Sequence, residues 1–226
     1  MQYKNISKAV FIKRPNRFTA HVLLDGKEEI VHVKNTGRCK EILKKGAAVI
    51  LEKAENKNRK TNYSLIAAYK DDLLINIDSQ VPNRVVADAL AKGKILKNTV
   101  LVKREFTYGN SRFDIYFESK NRKGFVEVKG VTLENNGVAR FPDAPTVRGT
   151  KHLKEMIKAV KEGYTGYIFF LIQLKGAKYF SPNQSTDPLF AKTLRQARDK
   201  GVKVLAYDCL LTEDSIELNK MVPVIL

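Results

Sequence analysis

Short runs of apolar or alternating positions fill the first eighty or so residues. The runs at 9–14, 18–24, 29–34, 47–53, 64–69 and 73–77 read as strands. Turn-forming residues separate them at Asp25-Gly26, Asn35-Thr36-Gly37, Lys45-Gly46 and Asp71-Asp72. A short helix is predicted over about 38–45. Several short strands and one helix in so little chain predict a small barrel of the OB type.

The period then changes. Val81-Pro82-Asn83 reads as a helix start, with Val85, Val86, Ala89 and Leu90 on one face. Strands are predicted over 99–107, 112–118 and 124–128. In 147–162, Leu153, Met156, Ile157 and Val160 recur at helical spacing, and Gly163 follows as a C-terminal cap. The run 167–174 is apolar throughout except for Gln173, which predicts a strand buried on both faces. Asp187-Pro188 opens a last helix that Gly201 ends, and 202–208 reads as a strand. The order α-β-β-β-α-β-α-β predicts an α/β domain, a mixed sheet flanked by helices. Two domains are expected, 1–82 and 83–226.

Charge adds a partner. The 226 residues hold 41 Lys and Arg against 24 Asp and Glu, a formal net charge of +17. Residues 1–82 carry 16 basic and 9 acidic side chains (+7), and the rest carry 25 and 15 (+10). The excess is spread over both halves rather than held in a tail. A polyanion such as DNA suits it, because neutralised phosphates release condensed counterions. A solvated Lys-rich surface is the competing reading. The longest apolar stretch, 167–172, is far too short to span a membrane, and no apolar signal core follows the N-terminus. A cytoplasmic location without membrane contact is expected. Cys39 and Cys209 lack metal-ligand spacing and read as reduced thiols. The oligomeric state is open, a homodimer included.

The chemistry concentrates in Arg112-Phe-Asp-Ile-Tyr-Phe-Glu and Gly124-Phe-Val-Glu-Val-Lys-Gly. Alternation puts Phe113, Ile115 and Phe117 on one face with Val126 and Val128, and Asp114, Glu127 and Lys129 on the other. A symmetric loop over 119–122 sets Asp114 opposite Glu127. A two-residue turn at Gly109-Asn110 sets Phe106 opposite Phe113 and Glu105 opposite Asp114. Three carboxylates would then line up across three strands. Facing carboxylates about 5 Å apart repel by about 3 kcal/mol at an effective dielectric near 20. A cation is needed there. Lys129 supplies one, and Mg²⁺ or Mn²⁺ held by Asp114, Glu127 and Glu105 supplies a better one. A metal-bound water can attack a phosphodiester, with Lys129 orienting it or stabilising charge. A solvated charged face satisfies the same E-x-K pattern.

This arrangement resembles the PD-(D/E)xK nuclease superfamily, with Asp114 as the aspartate and Glu127-Val128-Lys129 as E-x-K. The whole chain is also similar to the sugar fermentation stimulation protein A family. The similarity includes Asn35-Thr36-Gly37, the stretch 105–109, Val131-Thr132-Leu133 and, most specifically, 141–153, Phe-Pro-Asp-Ala-Pro-Thr-Val-Arg-Gly-Thr-Lys-His-Leu. The resemblance implies an OB-like first domain, a restriction-endonuclease-like second domain, DNA binding and a link to control of sugar (maltose) metabolism. It leaves open whether DNA is cut, so a non-cleaving DNA-binding regulator is the alternative. An RNA-binding module is a third, favoured only by stacking aromatics on the barrel, for which Tyr63 and Tyr69 are thin support. The superfamily's extra acidic residue often comes from the first helix. Here that helix offers only Asp88, so Glu105 is the better candidate.

Gln173 could touch an attacking water or a base, or be a satisfied core amide. Arg140, Arg148 and Lys151 surround a helix start suited to phosphates. For His152 a surface or capping role is expected rather than metal binding. Arg14, Arg17, Arg38, Lys57, Arg59 and Lys60 are candidates to line a DNA groove on the barrel.

Overall fold

The computed structural model describes residues 1–56 and 58–226. The first lobe is built from β1 (Ile6–Lys13), β2 (Thr19–Leu24), β3 (Lys27–Val33), β4 (Ala48–Lys53), β5 (Tyr63–Lys70) and β6 (Leu73–Asn76). β1 pairs with both β2 and β4, β4 with β5, and a parallel β3–β5 contact at Val33↔Leu65 closes the ring. Closure in the order 1-2-3-5-4-1 makes an OB-like barrel. Asp25 and Gly26 both take positive φ (49° and 76°), which lets β2 and β3 join through two residues. Val22, Val31, Val33, Val49, Leu51 and Leu65 alternate inward and fill the barrel. The helix predicted over 38–45 does not form. Cys39 sits at φ 48°, and Ile42 and Leu43 both donate to its carbonyl, so one tight turn plugs the barrel instead.

The second lobe carries α1 (Val81–Ala91), β7 (Thr99–Tyr108), β8 (Ser111–Ser119), β9 (Arg122–Val131), α2 (Val147–Lys161), β12 (Thr165–Ile172), α3 (Pro188–Asp199), β14 (Lys203–Leu211) and β15 (Ile216–Met221). Its sheet runs β15-β14-β12-β9-β8-β7, with β9, β12 and β14 parallel and the flanking strands antiparallel. A small sheet of β10 (Leu133–Asn135), β11 (Val138–Phe141) and β13 (Tyr179–Pro182) lies beside it. α1 covers one face of the large sheet, and α2 and α3 cover the other. β12 is buried on both, with Ile168 and Phe170 toward α2 and α3, and Tyr167, Phe169 and Leu171 toward α1.

One alternation breaks. Ile115 and Phe117 pack with Val126 and Val128 on the α1 side, but Phe113 packs with Phe125 on the α2 side. The expectation that Phe113, Ile115 and Phe117 share a face is therefore corrected. The cause is local. The β8–β9 ladder ends at Ile115↔Val126, and the next N–H on β9 facing β8, that of Val128, goes to the Asp114 carboxylate instead of backbone. The break falls at the first residue of the candidate chemistry.

The lobes are joined by polar contacts. Tyr3 bonds the Asp214 carbonyl on the second lobe, and Lys70 pairs with Glu134 at 2.8 Å. The buried chain Tyr3–Asn76–Gln173 crosses the junction, with Asn76 donating to Tyr3 Oη at 2.8 Å and Gln173 donating to Asn76 at 2.9 Å.

Candidate metal and nucleic-acid site

One step beyond Ile115↔Val126 stand Asp114 and Glu127, in the register the hairpin pattern predicts. Asp114 accepts from Asn83 Nδ2 on α1 through one oxygen and from Val128 N–H through the other, both at 2.8 Å. Glu127 is 1% exposed. Its Oε1 accepts from Lys129 Nζ at 2.6 Å and faces His152 Nδ1 on α2. Its Oε2 is buried without a partner among the described residues. Lys129 and His152 thus hold one carboxylate oxygen and leave the other bare.

Burial raises the Asp114 carboxyl above its ordinary pKa, and the charge of Glu127 raises it further, against Lys129, the Val128 N–H and Asn83. For Glu127, burial alone would also raise the pKa. Lys129 and then His152 outweigh that and hold it below the usual range. One acid is comfortable as an anion and its neighbour is not, a state that an added cation would relieve. A carboxylate oxygen with one hydrogen bond keeps a lone pair, so Asp114 and the bare Glu127 oxygen fit a hard divalent ion.

The predicted row of three acids is incomplete. Glu105 sits at φ 59°, with its side chain 56% exposed and paired with Arg112. That left-handed conformation takes its side chain out of the row. No group of three or more His, Cys, Asp and Glu able to hold a metal occurs among the described residues. Gln173 is a buried amide whose nitrogen is held at the lobe junction. It is 1% exposed and donates to Asn76 and to the Asp78 carbonyl, at 2.9 and 3.1 Å. His152 is corrected in the other direction, since it is buried against Glu127 rather than at the surface. Its signal was present in the periodicity. Gly149, His152, Leu153 and Met156 form the buried stripe of α2, at spacings of three and four. Asn83, the third residue of α1, carried no comparable signal.

The conspicuous 141–153 stretch has a structural explanation. Asp143 accepts from Arg38 N–H at 3.1 Å and ties the lobes. Thr146 caps α2 by accepting from Gly149 N–H at 3.0 Å, and its own N–H goes to Asp187, the cap of α3. The helix so fixed delivers His152 to Glu127. Asn35-Thr36-Gly37 makes the matching turn, because a Cβ at Gly37 would lie 2.7 Å from Asp143 Oδ2.

The basic candidates divide. Arg14 is not a free phosphate ligand. Its guanidinium donates to the carbonyls of Arg17, Asn35, Gly37 and Arg38 at 2.5–2.9 Å and staples two loops together. Arg17 and Arg38 are exposed and line a cleft of about 700 Å³ between the lobes. Arg140 lines an adjoining cavity of about 210 Å³. Arg148 and Lys151 are exposed on the first turns of α2, Lys151 donating to the Asn110 carbonyl at 3.1 Å. Arg59 is half-buried and donates to Ser64 at 3.2 Å, while Lys60 is exposed. Lys57 lies outside the described residues.

Residues 12–77 match the model of the SfsA N-terminal OB domain, and residues 80–215 match that of the Sugar fermentation stimulation protein RE domain. The chain belongs to the sugar fermentation stimulation protein family. A family homolog from Clostridium beijerinckii is 54% identical over 226 residues, covering all of both chains. One from Alkaliphilus oremlandii is 51% identical, over 99% of this chain and 98% of the relative. Among solved structures, the Pyrococcus furiosus SfsA in complex with Ca²⁺ superposes with a TM-score of 0.91 at 28% identity, over 100% of this chain and 98% of that one. The family assignment and the two-lobed fold, OB-like barrel plus restriction-endonuclease-like sheet, both agree with the expectation from sequence. No helix among the described residues is long and apolar enough to cross a membrane.

Proposed function

We propose that this family member is a DNA-binding, divalent-metal-dependent phosphodiesterase working at Asp114, Glu127 and Lys129. The observation that carries the reading is the bare, buried Oε2 of Glu127 beside an Asp114 whose carboxyl burial and Glu127 hold above its ordinary pKa. Folding leaves such a pair uncomfortable unless something positive sits between the acids. The Pyrococcus furiosus relative was solved with Ca²⁺, another hard divalent ion, which supports the same reading for Mg²⁺ or Mn²⁺ here.

Asp114 and Glu127 would hold the cation, which would supply Lewis-acid stabilisation and a water of lowered pKa. The chain's own groups do the rest. Asn83 and the Val128 N–H aim Asp114. His152 and Lys129 fix Glu127 through Oε1. Lys129 spends one ammonium N–H on Glu127 and offers the others to a phosphate oxygen as charge builds there. Glu105 and Gln173 have no part in this account, because one is exposed and the other is bound into the lobe junction. The positive charge of both lobes suits a phosphodiester substrate.

A second reading has its own support. Lys129 already opposes the charge of Glu127 and His152 contacts the same oxygen, so the fold can serve as a non-cleaving DNA scaffold, with control of sugar metabolism as its role. Incubation with single-stranded, duplex and branched DNA, with and without Mg²⁺ or Mn²⁺, separates the two. Metal-dependent cleavage that Asp114→Asn abolishes, with DNA binding retained, supports the phosphodiesterase. Binding with no cleavage of any substrate leaves the scaffold.

A further inference from the structure

The OB-like barrel and the second lobe enclose the 700 Å³ cleft between the β1–β2 loop, the 36–43 segment and the 141–146 loop. Arg17, Arg38 and Lys40 stand along it. Phe11, Leu43 and Phe141 give it an apolar floor. The smaller cavity shares Thr36, Gly37, Phe141 and Asp143 with it, so the two adjoin. That cavity adds Arg140 and reaches Gly130, the neighbour of Lys129. Basic side chains therefore line the two cavities from the barrel as far as β9, the strand that carries Glu127 and Lys129. The cavities' one acid, Asp143, is engaged by the Arg38 N–H.

Phe18 follows Arg17 directly and is 56% exposed, whereas every other phenylalanine is buried or half-buried. It does not lie on a loose loop. Asn16 Oδ1 accepts from the Phe18 and Thr19 N–H groups, the Phe18 carbonyl accepts from Val33, and Arg14 fixes the Arg17 carbonyl. A rigid backbone thus holds an aromatic ring in water, one residue on from Arg17 of the cleft. A blunt duplex presents phosphates and hides its base faces, so it has no use for that ring or for an apolar floor. A single strand offers both phosphates and open base faces.

We propose that the interlobe cleft takes a single DNA strand, its phosphates along Arg17, Arg38, Lys40 and Arg140 and one base stacked on Phe18, and leads it to Asp114 and Glu127. The preferred substrate is then DNA with a single-stranded tail or branch. This rests on the DNA phosphodiesterase reading.

The test is fluorescence anisotropy on the full chain in Ca²⁺, with a single DNA strand, a blunt duplex, a duplex carrying a single-stranded tail, and single-stranded RNA. The tailed duplex should bind more tightly than the blunt one. Phe18→Ala should weaken tailed-duplex binding at least about fivefold and blunt-duplex binding less than about twofold, as loss of one stacked base implies. Arg38→Ala, at an exposed site, should show the same bias. A 2-aminopurine in the tail should lose quenching in Phe18→Ala. Equal losses on tailed and blunt DNA, no loss on either, or no advantage of a tail overturns the cleft assignment. Tighter binding to RNA overturns its assignment to DNA. If wild type binds no DNA at all, the functional reading itself fails. If wild type cleaves tailed and blunt DNA alike and Phe18→Ala changes neither, only the cleft proposal fails.

Discussion

The two acids at the site respond to pH in opposite senses. Burial, and then Glu127, raises the Asp114 pKa on folding, so its favourable contribution exists below its unfolded pKa and is lost as pH rises through the folded value. Ionised Asp114 therefore costs stability at neutral pH. Metal-free Asp114→Asn, which keeps one acceptor for the two donors Asn83 Nδ2 and Val128 N–H, should gain stability relative to wild type as pH rises from the acid range to pH 7. Glu127, whose pKa is lowered by Lys129 and His152 against burial, contributes stability above its unfolded pKa and loses it as pH falls. Glu127→Gln should cost about 1.5–3 kcal/mol at pH 7, the scale of a hydrogen bond to a charged group. Scanning calorimetry of both variants across pH checks the sign, and the same direction for both would contradict it. His152 acts through Glu127, so His152→Leu should raise the Ca²⁺ Kd roughly tenfold or more while leaving a folded protein. An unchanged Kd in calorimetric titration would limit His152 to packing.

At the scale of elements, the strands that build the site depend on close approach. A Cβ at Gly124 would lie 1.9 Å from the Thr165 carbonyl oxygen, which is backbone and cannot turn aside. At Gly166 the nearest atoms are Met156 Sδ and Val160 Cγ2, both at 2.8 Å, and side chains can give. Gly124→Ala should therefore lower the urea midpoint well beyond the roughly 1–3 kcal/mol of ordinary overpacking, and Gly166→Ala should stay within it. Equal midpoints would mean that β9 and β12 can separate cheaply. Elements of this kind were legible where their period was long. β8, β9, α2, β12 and α3 follow directly from apolar spacing, and the β8–β9 register up to Ile115↔Val126 follows from hairpin symmetry. β10, β11 and β13 have three or four residues each, too few for a period to show, and β13 contains Pro182. The missing helix at 38–45 and the displaced Glu105 share one cause. Each turns on a non-glycine residue at positive φ, Cys39 or Glu105, which no residue pattern announces. Arg14 does line the interlobe cleft, but its carbonyl partners could not be read from the sequence, because they come from a loop fold that exists only in three dimensions.

The whole molecule couples a basic barrel to a basic second lobe through Gln173, Asn76, Asp143 and the Lys70–Glu134 pair. With +17 overall, DNA affinity should fall steeply and log-linearly with salt. A flat response between low and moderate salt would contradict phosphate-dominated binding. The central claim, that two acids crowd around a place made for a cation, is tested most directly by titrating the metal-free protein with Ca²⁺ in a calorimeter. One saturable site that disappears in both Asp114→Asn and Glu127→Gln, with each variant shown folded by circular dichroism, is the predicted result. Wild type that takes up no calcium at millimolar concentration, or variants that bind it undiminished, would contradict it.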